Sequence, residues 1–272
     1  MKIAIIGAGN MGGAIARGLV KSQMAAAGDI CITAHTQATL DKIKGEIPAI
    51  CCTLDNREAA AGASVIILCV KPWLIQPVIE EIYPAYNDMK QEGRAPLLVS
   101  VAAGITFEQL HAMLGEAEAP QAALARVIPN TAISLMQSPT LVCYNEHMEE
   151  AQRQWLKATF DAMGQAIIID EAHMAAGTAV TSCGIAYALQ YVKAAIQGAI
   201  ELGFYPHVAK QMIDQTVMGA VALLENNGSM PDQEIYKVCT PGGITIKGLN
   251  EMSACGFDHA VIAGLKKAAG KN

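Results

Sequence analysis

Two short stretches combine residue types that could hold an anion. The first is Thr240-Pro241-Gly242-Gly243-Ile244-Thr245, set in a region that otherwise reads as helix. Pro-Gly-Gly breaks a helix, and adjacent glycines can turn successive backbone N–H groups to one side, a concavity suited to an anion. A helix opening at Thr245 would aim its N-terminus at the same point, with the hydroxyls of Thr240 and Thr245 on either side. The second is Gly7-Ala8-Gly9-Asn10-Met11-Gly12, a G-x-G-x-x-G that follows the apolar run 2–6 and opens a helical pattern. In that context Gly7 permits a tight turn, Gly9 lets a pyrophosphate approach the backbone, and Gly12 lets helix pack on strand. A dinucleotide cofactor and a small anionic ligand are the chemistry these residues suggest.

The end of the second strand bears on which cofactor. An NAD site usually places Asp or Glu there for the ribose 2′-hydroxyl. This chain has Ala34-His35-Thr36, and Asp29 lies at the wrong end of the strand. With no carboxylate to repel a 2′-phosphate, NADPH is favoured and NADH is expected to be the weaker cofactor. No Arg stands ready to clamp the phosphate; His35 could donate to it, or could be a solvent-exposed turn residue.

The elements that must position these groups follow from periodicity. Apolar runs at 2–6, 30–34, 64–70, 96–101, 125–128, 140–144 and 166–170 have strand length, and helical patterns at 11–23, 36–45, 73–83 and 149–162 separate several of them. Thr106 to Gln109 has capping-box spacing and predicts another helix start. Strand and helix in alternation specify an α/β fold, an N-terminal Rossmann-type parallel sheet with helices on both faces. After Asp170 the strand signals stop, and Ala-rich helices broken at 202–206, 226–231 and the Pro-Gly-Gly loop follow. The expected division is 1–168 for the nucleotide-binding domain and 169–272 for an all-helical dimerisation and substrate domain.

Composition narrows the function classes. The 272 residues are 52% hydrophobic and 16% charged, enough for a sizeable core. A net charge of −6 argues against nucleic acid or an anionic membrane as partner. The uncharged stretch 174–192 is rich in Ala, Gly, Thr and Ser rather than Leu, Ile and Phe, so a buried helix is expected rather than a membrane span. A long helix over 174–200, apolar and small-residued on every face, predicts a homodimer or a ring of dimers. The eight cysteines form no C-x-x-C pair, and the chain enters a strand at once with no room for a signal peptide. A reduced, cytoplasmic protein without a metal centre is expected.

Other constellations are weaker. The six histidines are scattered, and no H-E-x-x-H or readable Ser-His-Asp order is present. Lys71-Pro72-Trp73 ends a strand where ligands gather in open α/β sheets, though a plain turn reads equally well. Lys193 could serve as the acid of a β-hydroxyacid dehydrogenase. That family carries Gly closely before the Lys and Asn four residues after it, whereas here Gly184 stands well upstream and Gln197 takes the Asn position. A solvated or interface Lys is the simpler reading.

The blocks "IIGAGNMGGAIARGL", "CVKPW", "VSVAAGIT", "RVIPNTAI", "TSCGIAYAL" and "CTPGGITIKGL" resemble, in order and over nearly the whole chain, the pyrroline-5-carboxylate reductases. The resemblance implies NADPH-dependent reduction of a cyclic imine to L-proline. It implies that residues 7–12 hold the cofactor pyrophosphate and that Asn56 lies near the 2′-phosphate. Val70-Lys71-Pro72 and Ala102-Ala103-Gly104 would line the nicotinamide and its ribose. The substrate carboxylate would rest on the N–H groups of Gly242 and Gly243, beside Thr240, with the Thr245 hydroxyl facing the imine nitrogen. The chain departs from the family pattern at Thr240 and Ile244 of the loop and at Ser182, Cys183 and Ile185 of the long helix. A β-hydroxyacid-type dehydrogenase and a non-catalytic dinucleotide sensor are the alternatives; the sensor would not need the Pro-Gly-Gly loop.

Overall fold

The computed structural model describes residues 1–116 and 121–270. Its first part runs β1 (Ile3–Ile6), α1 (Asn10–Lys21), β2 (Ile30–Thr33), α2 (Gln37–Glu46), β3 (Cys51–Thr53), α3 (Asn56–Ala60), β4 (Val65–Leu68), α4 (Ile75–Gln91) and β5 (Leu97–Ser100). It continues with α5 (Phe107–Met113), β6 (Leu124–Ile128), β7 (Ser138–Tyr144), α6 (Glu150–Asp161), β8 (Gly164–Ile168) and α7 (Met174–Thr178). The strands form one sheet in the order β3-β2-β1-β4-β5-β6-β7-β8. Alternate residues of each strand feed opposite faces: Ile3 and Ile5 join one core, Ala4 and Ile6 the other. Strands buried on both sides read as unbroken apolar runs, which is why they were legible.

Two features differ from the expected sheet. The edge strand β3 falls in no predicted strand, being only three residues long and partly exposed. The β6–β7 pair is antiparallel, whereas the other neighbours pair in parallel. Residues 129–137 between them are too few for the crossover that parallel strands need, so the chain turns back directly. The capping box is present: the Thr106 hydroxyl accepts from the Gln109 N–H, and the Gln109 side chain accepts from the Thr106 N–H.

The compact units divide at Ser182/Cys183, later than the expected 168/169. Residues 169–182 stay with the sheet for physical reasons. The Glu171 carboxylate accepts from the Arg126 guanidinium and from the Phe107 N–H, each at 2.7 Å. Met174 is buried with Ile128, Leu141 and Cys143. Gly177 lies so close to the sheet that a Cβ there would stand 2.7 Å from Leu141 Cδ1. Asn130 Nδ2 donates to the Thr181 carbonyl at 3.2 Å.

The second unit is helical: α8 (Gly184–Glu201), α9 (Pro206–Asn227), α10 (Pro231–Val238), α11 (Ile244–Ala254) and α12 (Phe257–Ala268). The long helix expected over 174–200 runs unbroken from Met174 to Glu201, with residues 179–183 forming a π turn between α7 and α8. Tyr187 donates to the Gly264 carbonyl at 3.3 Å, and Tyr191 meets Phe257 edge-on. Among the described residues Ala209 is this unit's one buried hydrophobic, and no helix formed by the described residues is long and apolar enough to cross a membrane.

Candidate functional site

The sheet brings most of the expected cofactor residues to one edge. Registers Ile6↔Leu68 and Leu68↔Ser100 set the carboxyl ends of β1, β4 and β5 level, so Gly7, Val70 and Ala102 leave the sheet side by side. From β1 the chain winds one way to β2 and β3, then returns on the other side at β4. This is the topological switch point where open α/β sheets bind ligands.

Each motif glycine has a distinct reason. Gly7 has φ +107°, and a Cβ there would lie 2.9 Å from the Cys69 carbonyl oxygen. Its N–H donates to Thr33 Oγ1 at 3.1 Å, while the Ala8 N–H donates to the Thr33 carbonyl at 2.6 Å. These bonds tie the turn to the end of β2. A Cβ on Gly12 would stand 2.0 Å from the Gly7 carbonyl oxygen, so helix and turn touch only because that position is bare. Gly9 differs: a Cβ there meets no atom within 4 Å, so nothing in the fold demands glycine. Gly9 is the N-cap of α1 without a side-chain cap, and the first intrahelical bond runs from Gly13 to its carbonyl. The N–H groups of Asn10, Met11 and Gly12 are therefore left for an outside acceptor. Burial pushes the Cys69 thiol up to about 12, which makes it a neutral packing group in this turn.

Two cavities flank the turn. One of about 700 Å³ is lined by Gly9, Asn10, Met11, Arg17 and Lys42, among others. The other, of about 240 Å³, is lined by Gly7, His35, Asn56 and Val70 together with Glu81. His35 and Asn56, far apart in sequence, are thus brought to one wall. Asn56 opens α3, whose N-cap Asp55 accepts from the Arg57 and Glu58 N–H groups. Its Nδ2 donates to Glu81 Oε2 at 2.8 Å. Glu81 was not singled out from the sequence; its place on α4 opposite the end of β3 could be read only once β3 was known. Lys71 is exposed and precedes a short helical turn begun by Pro72. Ala102 is buried, while Ala103 and Gly104 are exposed and Gly104 has φ +83°.

The Thr240–Thr245 loop belongs to the helical unit. Gly242 has φ +69°, a conformation that favours glycine. The N-cap of α11 is Gly243, not Thr245, and it carries no side-chain cap. Thr245 is the second residue inside the helix. The Gly243 N–H, expected to face an anion, donates instead to the Thr240 carbonyl at 2.9 Å. A Cβ on Gly243 would lie 2.4 Å from Thr240 Oγ1, so the turn requires glycine there. The donors left at this end of α11 are the Ile244, Thr245 and Ile246 N–H groups of its first turn.

Comparison with known proteins agrees with both halves. Residues 171–272 match a family described as pyrroline-5-carboxylate reductase dimerisation, and residues 2–104 one described as NADP oxidoreductase coenzyme F420-dependent. Pyrroline-5-carboxylate reductase 2 of Dictyostelium discoideum is 32% identical, with 99% of this chain and 91% of that protein covered. Pyrroline-5-carboxylate reductase 1 of the same organism is also 32% identical over 99% of this chain, which spans 49% of that longer protein. The solved pyrroline-5-carboxylate reductase of Coxiella burnetii superposes with a TM-score of 0.89 at 27% identity, covering 99% of this chain and 96% of that one.

Proposed function

The chain belongs to the pyrroline-5-carboxylate reductase family, and we propose that it reduces the cyclic imine pyrroline-5-carboxylate to L-proline with NADPH. The observation that carries the reading is the glycine turn at the switch point. Gly7 and Gly12 are required by the fold itself, whereas Gly9 is required only if something approaches the backbone from outside. The turn therefore fits a dinucleotide pyrophosphate, held by the N–H groups of the first turn of α1. His35, beyond the end of β2, and Asn56, beyond the end of β3, line one cavity and would receive the 2′-phosphate, with Val70, Lys71, Pro72 and Ala102 to Gly104 beside the nicotinamide end.

When bound, NADPH supplies hydride to an electrophilic carbon. A cyclic C=N bond is a ready acceptor when its nitrogen is protonated or strongly hydrogen-bonded, so the chain need supply neither metal nor strong acid. Its tasks are to fix the ring, exclude water and offer a hydrogen bond to the nitrogen. The Thr245 hydroxyl is assigned that last role. The substrate carboxylate is assigned to the start of α11, beside Thr240 and Gly242, where the helix dipole and the Ile244 and Thr245 N–H groups favour an anion. Gly243 shapes the loop rather than donating. Residues 169–272 act as the dimerisation and substrate region and 1–168 as the nucleotide-binding region; the dimerisation match beginning at residue 171 supports this division. The assembly is a homodimer or a ring of dimers. Free thiols throughout suit a reducing cytoplasm.

The test is NADPH oxidation, followed optically, with pyrroline-5-carboxylate against other cyclic imines, 2-hydroxy acids and NADH as cofactor. Turnover should be greatest with pyrroline-5-carboxylate and NADPH. No oxidation with any cyclic imine, or a clear preference for a hydroxy acid, overturns the assignment.

A further inference from the structure

Away from the cofactor turn, the amino-terminal half of the sheet carries an unexpected pair of thiols. Cys31 on β2 and Cys51 on β3 are direct register partners in a parallel pair. Register partners point to the same face of a sheet, and their Sγ atoms lie 2.9 Å apart. Neighbouring strands run about 4.8 Å apart, inside the Cα separation that a disulfide spans. Cys52, the next residue, points to the opposite face, with its thiol toward the Leu40 carbonyl at 3.9 Å. The site is therefore a pair and not a cluster of three. Both thiols line a cavity of about 240 Å³ together with Gly28, Asp29 and Glu58, and Cys51 is exposed.

We propose that Cys31 and Cys51 are a redox modification site, converted by low-molecular-weight disulfides into an intrachain bond that clips the edge strand to the sheet. The Cys51 thiolate attacks one sulfur of the external disulfide R–S–S–R. That bond breaks, the first R–S⁻ leaves with the electron pair, and a mixed disulfide remains on Cys51. Cys31 then loses its proton, and its thiolate attacks Cys51 Sγ and expels the second R–S⁻. Two protein thiols are oxidised, one external disulfide is reduced to two thiols, and the protons lost by the cysteines end on those products. Burial, then the hydrogen bond with Cys51 and the nearby charges, pushes the Cys31 thiol up to about 12, so Cys31 is rarely a thiolate and the exposed Cys51 is the first of the pair to react.

The bond would act on a weak point. β3 is a three-residue edge strand held by β2 alone, and such elements open locally at low cost. Cys31 and Cys51 each stand two residues before the ends of their strands, Thr33 and Thr53, beyond which the chain reaches His35 and Asn56. A covalent clip would fix the separation of the two strands that carry those residues.

The test uses the full-length, fully reduced protein incubated with oxidised glutathione. Two of the eight thiols should disappear without a stable glutathione adduct at either position, and peptide mapping should recover a Cys31–Cys51 cross-link. The melting temperature should rise by about 5–10 °C and fall back on reduction, as expected for closing a loop of this length. Cys31→Ser should instead accumulate the mixed disulfide at Cys51, with no rise. A glutathione adduct persisting on Cys51 of the wild-type chain, or a cross-link that leaves the melting temperature unchanged, overturns the proposal. The mapping needs no variant, so a substitution that folded poorly would not rescue it.

Discussion

The sheet unit and the helical unit contain comparable apolar residues and treat them in opposite ways. In the first, β1, β4, β5 and β6 are buried along their whole length, and both faces of the sheet are covered by the chain's own helices. In the second, Ala209 is the one buried hydrophobic among the described residues, while Leu189, Met218, Val221, Leu223 and Ile262 stand exposed. A Rossmann-type sheet closes its core within one chain. Helices with apolar residues on every side cannot, at roughly 25 cal/mol per Å² of apolar surface left in water. On the proposed self-association, a second copy supplies the missing half of that core.

The largest effect should come from charging the helical unit. Leu189 and Met218 are 62% and 65% exposed, and a residue free in solvent tolerates substitution within a few tenths of a kcal/mol. Leu189→Asp with Met218→Asp should instead dissociate the assembly and lower activity more than about 100-fold, because unpaired charge in an apolar interface costs several kcal/mol. Light scattering and circular dichroism should then show a monomer with a folded sheet unit. An active oligomer of normal size would mean that these faces are true surface.

Within the sheet unit, Gly12→Ala and Gly9→Ala separate what the fold demands from what the cofactor demands. A methyl on Gly12 meets the Gly7 carbonyl oxygen at 2.0 Å, backbone against backbone, so stability should fall by about 2–3 kcal/mol and NADPH binding with it. A methyl on Gly9 meets nothing within 4 Å. That variant should melt like wild type and still lose about tenfold or more in NADPH affinity, measured by fluorescence titration. Unchanged affinity for Gly9→Ala would remove the pyrophosphate from this turn.

Legibility in the sequence followed the same division. Buried strands announce themselves as apolar runs and glycine turns by their spacing, so the alternating elements, the capping box at Thr106 and the dinucleotide turn could all be read. What escaped depends on register or on partners distant in sequence. β3 is too short and too exposed for a two-residue period, and with it went Glu81 facing Asn56 and the Cys31–Cys51 pair. The run at 140–144 is legible as a strand, but the antiparallel direction of β7 is invisible without counting the residues that join it to β6. The compact units part at 182/183 because contacts such as that between Arg126 and Glu171, widely separated in the chain, hold residues 169–182 to the sheet. In the Thr240–Thr245 loop, hydroxyl chemistry suggested Thr245 as the helix start, while the backbone chose Gly243.

That shift makes Thr245 a cleaner test. Since Gly243 is the N-cap, Thr245→Val removes no cap and should change the melting temperature by less than about 2 °C. If the hydroxyl bonds the imine nitrogen as hydride arrives, kcat/KM should fall roughly 10–30-fold, at about 1.4 kcal/mol per tenfold, with NADPH affinity intact. Thr245→Ser should retain most of the activity. Wild-type turnover in Thr245→Val would leave the catalytic hydrogen bond without an owner in this loop.

The smallest effect probes how the sheet unit secures its own loops. Glu116 is buried, and burial alone would raise its carboxyl; the hydrogen bond from Lys90 and the N–H groups of Gln121 and Ala122 outweigh that and hold it at about 2, against an ordinary 4.5. A carboxyl depressed in the folded state stabilises the fold above its unfolded value, and that contribution is lost as pH falls from about 5 through about 2. The Lys90 side chain is about one-third exposed, so solvent screens the pair and the contribution at neutral pH is set at about 1–2 kcal/mol. Glu116→Gln should therefore melt about 3–6 °C below wild type at pH 7. The gap should narrow at pH 4 and nearly vanish by pH 2, where the wild-type carboxyl is already about half protonated. Thermal melts of both proteins across that range decide the matter: a gap that stays constant down to pH 2 would mean that Glu116 contributes shape and neutral hydrogen bonds, and that its charge does no part of the pinning.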